Sequence, residues 1–152
     1  MKAQSKIEFI VTTFIYCLFL VYVIMFFTQN VVSIVYSTRA SSAKITAETI
    51  ADILAREEGI PPDWHIHPSS IKRIGLSSGV PFNLSIEKLN YLNTHCELIK
   101  DVFGIVNYRV IVKTSTGVVL LDCGGIGGAE AQVEYPVFVN GKEAQLIVEI
   151  WW

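Results

Sequence analysis

The residues of this chain with chemistry to offer are few. His65 and His67 alternate, so in an extended segment they share one side, and His95 with Cys96 follows thirty residues after His65. Zinc takes imidazole nitrogen and cysteine sulfur in sets of three or four. Three ligands at a suitable spacing are not visible here, and a histidine beside Trp64 and two prolines reads as turn or surface structure, so no metal is expected. The run Asp122-Cys123-Gly124-Gly125-Ile126-Gly127-Gly128 lacks both the Gly-x-Gly-x-x-Gly order and the Gly-Lys-Ser/Thr ending of phosphate-binding loops. It reads as a flexible loop after a strand. Neither His-Glu-x-x-His nor a pair of carboxylates in apolar surroundings occurs. No catalytic residue and no cofactor is expected, and the chain reads as a non-enzyme.

One carboxylate stands out by its position. Glu8 opens a run from Phe9 to Phe27 of nineteen uncharged residues rich in Phe, Ile, Val, Leu and Tyr. As a helix that run measures about 28 Å, enough to cross the hydrocarbon of a bilayer. A carboxylate at its start costs several kcal/mol in lipid unless a cation neutralises it; the alternative reading is that Glu8 sits at headgroup level beside Lys6 and Lys2 and means nothing more. The uncharged stretch continues to Thr38, and the next charge is Arg39. Lys2 and Lys6 precede the span, so the positive-inside bias places the short N-terminus in the cytoplasm and everything after the span outside. A cleavable secretory signal has a shorter apolar run ending in a small-residue site. Here the run is longer and leads into Thr28-Gln29-Asn30, so the span is expected to be retained. With 51% hydrophobic residues and a formal net charge of -2 over 152 residues, the composition argues against nucleic acid as a partner.

Lys2-Ala3-Gln4 followed by Glu8-Phe9 resembles the leader of archaeal type IV pilins, a short class III signal in which prepilin peptidase cuts just before a Gln. The resemblance implies a leader at residues 1–3, cleavage between Ala3 and Gln4, and Glu8 as the fifth residue of the mature chain. Residues four apart share a helix face. Glu8 could then neutralise the new α-ammonium of its own chain or of an adjacent subunit, and with Phe9 set the register between helices in a filament. The implied partners are other copies or related pilins, the prepilin peptidase, and membrane lipid before assembly.

The elements around these residues fit an α+β fold. No Gly or Pro occurs before Gly59, and Pro61-Pro62 follow it, so one helix is expected over about 4–58. Its first half is apolar all round, with the membrane span at about 9–27. Its second half is amphipathic, with Ile45, Ala47, Ile50, Ala51, Ile53 and Leu54 recurring at three and four. An extracytoplasmic head follows over 59–152, built of short helices and an antiparallel β-sheet. Pro61 to Ile66 and Ser70 to Leu76 read as two short extended pieces. Asn83 to Leu92 reads as a helix capped by Ser85, and Thr94-His95-Cys96-Glu97 as a capping box opening a second helix that Gly104 closes. Strands are expected from Tyr108 to Lys113, Gly117 to Asp122, Val133 to Val139 and Ala144 to Trp152, with Asn140-Gly141 as a hairpin turn. The succession Pro61 to Trp64, Ile74 to Leu76, Leu84 to Leu89 and Gly104 to Tyr108 is similar to archaeal pilin-like proteins carrying this leader.

Further positions carry expectations. Cys17 lies in the apolar run, where a lone cysteine behaves as a small hydrophobe. Cys96 and Cys123 both fall in the exported part, where a disulfide between them is the first reading and two buried free thiols the second. Asn83-Leu84-Ser85 is a sequon for N-glycosylation, read against a structural alternative in which Asn83 shapes the turn and Ser85 the cap. Trp151 and Trp152 are expected on an outer strand, one facing the core and the other placed where it could contact a neighbouring head. The functional reading is a filament subunit that passes from membrane to extracellular pilus. The alternative is a single-pass anchored binding or sensing module that never polymerises.

Overall fold

The computed structural model describes residues 2–151, with side chains described throughout except at 2–7 and 32–34. The predicted cleavage between Ala3 and Gln4 therefore falls outside the described side chains, and Trp152 outside the described residues. The first element, α1, runs Lys2–Arg56, in keeping with the absence of Gly and Pro over that range. The chain divides into two compact units, Met1–Arg39 and Ala40–Trp152. The last stretch of α1 thus belongs with the globular unit.

In the globular unit α1 buries Ala43, Ala47, Ile50, Ala51, Leu54 and Ala55, spaced at three and four. After it come β1 (Gly59–Ile60), a single 3-10 turn (Pro68–Ser70), β2 (Arg73–Ile74), β3 (Asn83–Leu84), α2 (Ile86–Thr94), α3 (Glu97–Phe103), β4 (Tyr108–Thr114), β5 (Val119–Gly124), β6 (Ala131–Val139) and β7 (Lys142–Ile150). β1 and β2 form a short antiparallel pair, and the main sheet has the order β3-β6-β7-β4-β5. The β6, β7, β4 and β5 neighbours are antiparallel. β3 joins β6 in parallel, at Asn83 with Phe138 and Leu84 with Val139. The sheet is therefore mixed rather than purely antiparallel.

Side chains alternate across the sheet as strand geometry requires. Tyr108, Val110, Val112, Leu146, Val148, Ile150, Leu121 and Val137 join the α1 residues in one core cluster with Trp64, Leu89, Leu92 and Ile99. Asn140 and Gly141 turn the β6–β7 hairpin with φ of 51° and 74°, the pair of positive values a type I′ turn needs.

Five local expectations give way. Pro61 to Ile66 is a series of turns, not an extended piece: Pro61 accepts from the Trp64 N–H at 3.1 Å and Asp63 from the Ile66 N–H at 2.8 Å. In Ser70 to Leu76 only Arg73–Ile74 is a strand. Asn83–Leu84 is drawn into β3 rather than the helix, because Phe82 beside it donates its N–H to Ala55 O and accepts from the Phe138 N–H, both at 2.7 Å. The predicted capping box does not form. Thr94 ends α2 and its hydroxyl donates back to Tyr91 O at 2.9 Å, while the N-cap of α3 is Cys96, which makes no side-chain cap bond. Ser85 does cap α2, accepting from the Lys88 N–H at 3.4 Å, and Gly104 closes α3. Finally, β7 lies inside the sheet and not at its edge, since its hairpin with β6 places it beside β4.

The end of α1 is bonded to several other segments of the unit. The last carbonyls of a helix lack partners within it, yet here Leu54 O accepts from the Leu76 N–H at 2.9 Å, Ala55 O from Phe82 at 2.7 Å and Glu57 O from Ser77 at 3.0 Å. Lys88, 4% exposed, donates its Nζ to Glu58 O at 2.7 Å and to Ser77 O at 2.8 Å. Burial pushes the Lys88 ammonium below the ordinary lysine range, with Glu58 and Asp63 pulling the other way. Gly75 is backed against Glu57 O with no room for a Cβ, and its own carbonyl accepts from the Trp64 indole N–H at 2.9 Å. Arg73 reaches both carboxylate oxygens of Glu57 at 2.9 and 2.8 Å. Lys88→Met keeps the aliphatic stem but removes the donor from two buried carbonyls. We expect a loss of about 2 kcal/mol, allowing for the desolvation that a buried ammonium itself suffers. Urea unfolding of the detergent-solubilised full chain, followed by Trp fluorescence, measures it, and a variant as stable as the parent contradicts the assignment.

Candidate functional site

The surface with the clearest functional demand is the N-terminal stretch of α1. It holds one helical segment near the N-terminus that is long and apolar enough to cross a membrane, and its apolar window is fully unburied. Phe9 is 73% exposed, and Phe14, Tyr16, Phe19, Tyr22, Met25 and Phe27 are exposed along the same run. These positions go round the whole helix, so the run has no solvent face. Its polar side chains turn inward on the helix itself. Thr12 donates its hydroxyl to Glu8 O and Thr13 to Phe9 O, each at 2.8 Å. Thr28 donates to Ile24 O and Met25 O at 3.0 Å, and the Asn30 amide to Phe26 O at 2.7 Å. Such back-bonding satisfies a polar group where no water is available. Glu8 is exposed at the start of this run, and Cys17 is an exposed free thiol within it.

The other predicted residues fall on the globular unit. Cys96 and Cys123 are joined by a disulfide, with Cα atoms 5.2 Å apart. It ties the junction of α2 and α3 to β5. The Tyr108 hydroxyl donates to Cys96 O at 2.6 Å beside it, and burial with the neighbouring Glu97 raises the phenol above its ordinary range. Asn83 is half-buried in β3. Its sequon partner Ser85 donates its hydroxyl to Glu87 Oε2 at 2.6 Å, a bond that lowers the Glu87 carboxyl.

The histidines stay apart. His67 faces Asp63 at 3.7 Å, and His95 stacks on Tyr91 with ring centres 4.2 Å apart. His65 packs edge-on against Trp64. Among the described residues no three His, Cys, Asp or Glu side chains converge as a metal would need. The Gly-rich run after β5 lies against Trp151, which is half-buried and leaves no room for a Cβ at Gly127.

Two features carry no sequence signature. Lys88 looks like any lysine of a capped helix, and only the fold brings it under the end of α1. Arg109 and Asp122 sit on adjacent strands and form a two-point pair, Nε to Oδ1 and Nη2 to Oδ2, each at 2.8 Å. The Arg109 guanidinium holds the Asp122 carboxyl below the usual carboxylate range.

No protein-family model, no curated protein and no solved structure matches this chain. Its architecture is an α+β unit with a long N-terminal helix and a mixed sheet.

The disulfide closes a loop of sequence separation 27, so Cys96→Ala/Cys123→Ala should lose about 3 kcal/mol of unfolding free energy. Urea titration with and without dithiothreitol tests this. The parent should weaken with reductant and the double variant should not; a parent indifferent to reductant contradicts it.

Proposed function

We propose that this protein is a structural subunit of a surface filament of the archaeal type IV pilus class, inserted first in the membrane and then packed with other copies through α1. The observation that carries the reading is the all-round apolar exposure of α1 from Phe9 onward, on a helix whose last turn is wired into a folded unit. A helix greasy on every side needs lipid or other helices around it. A subunit that moves from lipid to filament core uses both in turn. The hydrogen bonds on the end of α1 support the reading too, because a filament held through its helices must transmit force into each head.

In this proposal Lys2 and Lys6 keep the N-terminus cytoplasmic, and the globular unit stands outside, where the Cys96–Cys123 bond is chemically at home. Prepilin peptidase removes residues 1–3, and Glu8 pairs with the new α-ammonium of Gln4, in its own chain or a neighbour. The heads carry no chemistry of their own in this account, and the role of each subunit is mechanical.

Glu8→Val separates this from a plain membrane anchor. A filament subunit carrying that substitution should insert and be cut normally yet fail to enter filaments, as read by the ratio of sheared-filament to membrane-bound protein in a host with its own peptidase. Incorporation equal to the parent removes the pairing role of Glu8.

A further inference from the structure

Near the turn between β6 and β7, the face of the sheet turned away from the core is concave. Val112, Val137, Ala144 and Leu146 belong to the core cluster, so by strand alternation Lys113, Pro136, Phe138, Glu143 and Gln145 lie on the other face. The register fixes their order. Phe138 pairs with Glu143 and Pro136 with Gln145, and Gln145 pairs in turn with Lys113. The turn after β4 walls one side, because the Ser115 N–H donates to Glu143 O at 3.2 Å and the Gly117 N–H to Thr114 O at 2.9 Å. Together these residues line a cleft of about 640 Å³, inside the roughly 300–1,000 Å³ of small-molecule sites.

Pro136 and Phe138 give this cleft an apolar platform, and the Phe138 ring is 47% exposed. Lys113, Glu143 and Gln145 stand round it. Among the described residues, the side chains of these three make no hydrogen bond or ion pair. The backbone beneath is fully engaged: β7 is bonded to β6 and β4, β4 to β7 and β5, and β6 to β3 at Phe138. Whatever binds here is therefore recognised by side chains.

We propose that this cleft binds a neutral saccharide, a single pyranose ring or the end of a short glycan. A pyranose has an apolar C–H face, which packs on an aromatic or proline surface, and a rim of hydroxyls that both donate and accept. Pro136 and Phe138 supply the platform, Lys113 donates, Glu143 accepts, and the Gln145 amide does both. Charge selects against anions. Lys113 and Glu143 cancel, and the rest of the face adds Glu134 and Glu149 beside the paired Arg109 and Asp122, so a phosphate or an acidic sugar meets net negative charge. An extended peptide is matched no better, because strand addition needs unpaired backbone groups at a sheet edge and the strands here are bonded on both sides. Such a site gives the globular unit a binding role in addition to its mechanical one, whether or not the chain enters a filament.

The test uses the full chain, solubilised in a detergent without a sugar headgroup and labelled with a fluorophore at Cys17. It is applied to an array of neutral oligosaccharides of glucose, galactose, mannose and N-acetylhexosamine units, with sialylated, uronic-acid and peptide spots alongside. The parent should bind neutral spots. Phe138→Ala and Gln145→Ala should each weaken that binding about tenfold or more, while Ile126→Ser, at the other end of the sheet, should leave it unchanged. Phe138 and Gln145 are both exposed, and an unaltered urea midpoint checks that each variant is folded. Absence of binding to every neutral spot overturns the proposal, as does binding confined to the acidic or peptide spots. Neutral binding that survives both substitutions places the ligand elsewhere and overturns the assignment to this cleft.

Discussion

The globular unit is organised by the need to satisfy the end of α1. A helix that stops inside a folded unit leaves acceptors that water cannot reach, and each buried acceptor without a donor costs about 1–3 kcal/mol. The chain from Ile74 to Lys88 is shaped to supply those donors, with the Leu76, Ser77 and Phe82 amides directed at the Leu54, Glu57 and Ala55 carbonyls and the Lys88 ammonium at Glu58 O and Ser77 O. Phe82 illustrates the cost. It sits at φ 63°, a backbone region a bulky side chain rarely adopts, and from there it bonds Ala55 on one side and Phe138 on the other. Its ring lies between Arg56 and Tyr135. That one residue links helix end, sheet edge and surface stack.

The opposite demand governs residues Phe9 to Val31. Their exposed apolar surface, at about 25 cal/mol per Å², drives the segment out of water, and no face of the helix is left polar enough to meet water. The inward-bonded Thr12, Thr13, Thr28 and Asn30 reduce what remains of its polarity. The two stretches of α1 therefore answer to different environments. One is complete only within a folded unit, and the other only among lipids or helices. A chain built this way joins whatever surrounds its N-terminal stretch to whatever its globular unit meets.

Much of this was legible in the sequence, for reasons that differ by element. The long helix could be read because its pattern persists without Gly or Pro, and the β6–β7 hairpin because Asn140-Gly141 has the backbone freedom its turn requires. Long-range partners could not. Nothing near Asn83 announces that Phe138 will pair with Phe82, and nothing in Ser85-Ile86-Glu87-Lys88 distinguishes a lysine that ends up buried from one that stays in solvent. The misread capping box has a local cause: Thr94 fits the pattern at either helix, and its bond to Tyr91 O assigns it to α2. Glu8 and Phe9 stand out by type and position alone, and the geometry adds their exposure at the head of the apolar run.

The central claim is that this is a leader-processed filament subunit, and the N-terminal residue of the protein recovered from membranes or filaments tests it most directly. Intact mass and N-terminal peptide sequencing, in a host that carries prepilin peptidase, read it without ambiguity. The account predicts a chain beginning at Gln4, free or cyclised. A chain that still begins at Met1 would contradict it, reduce Glu8 to a carboxylate at headgroup level, and leave a single-pass anchored module in its place.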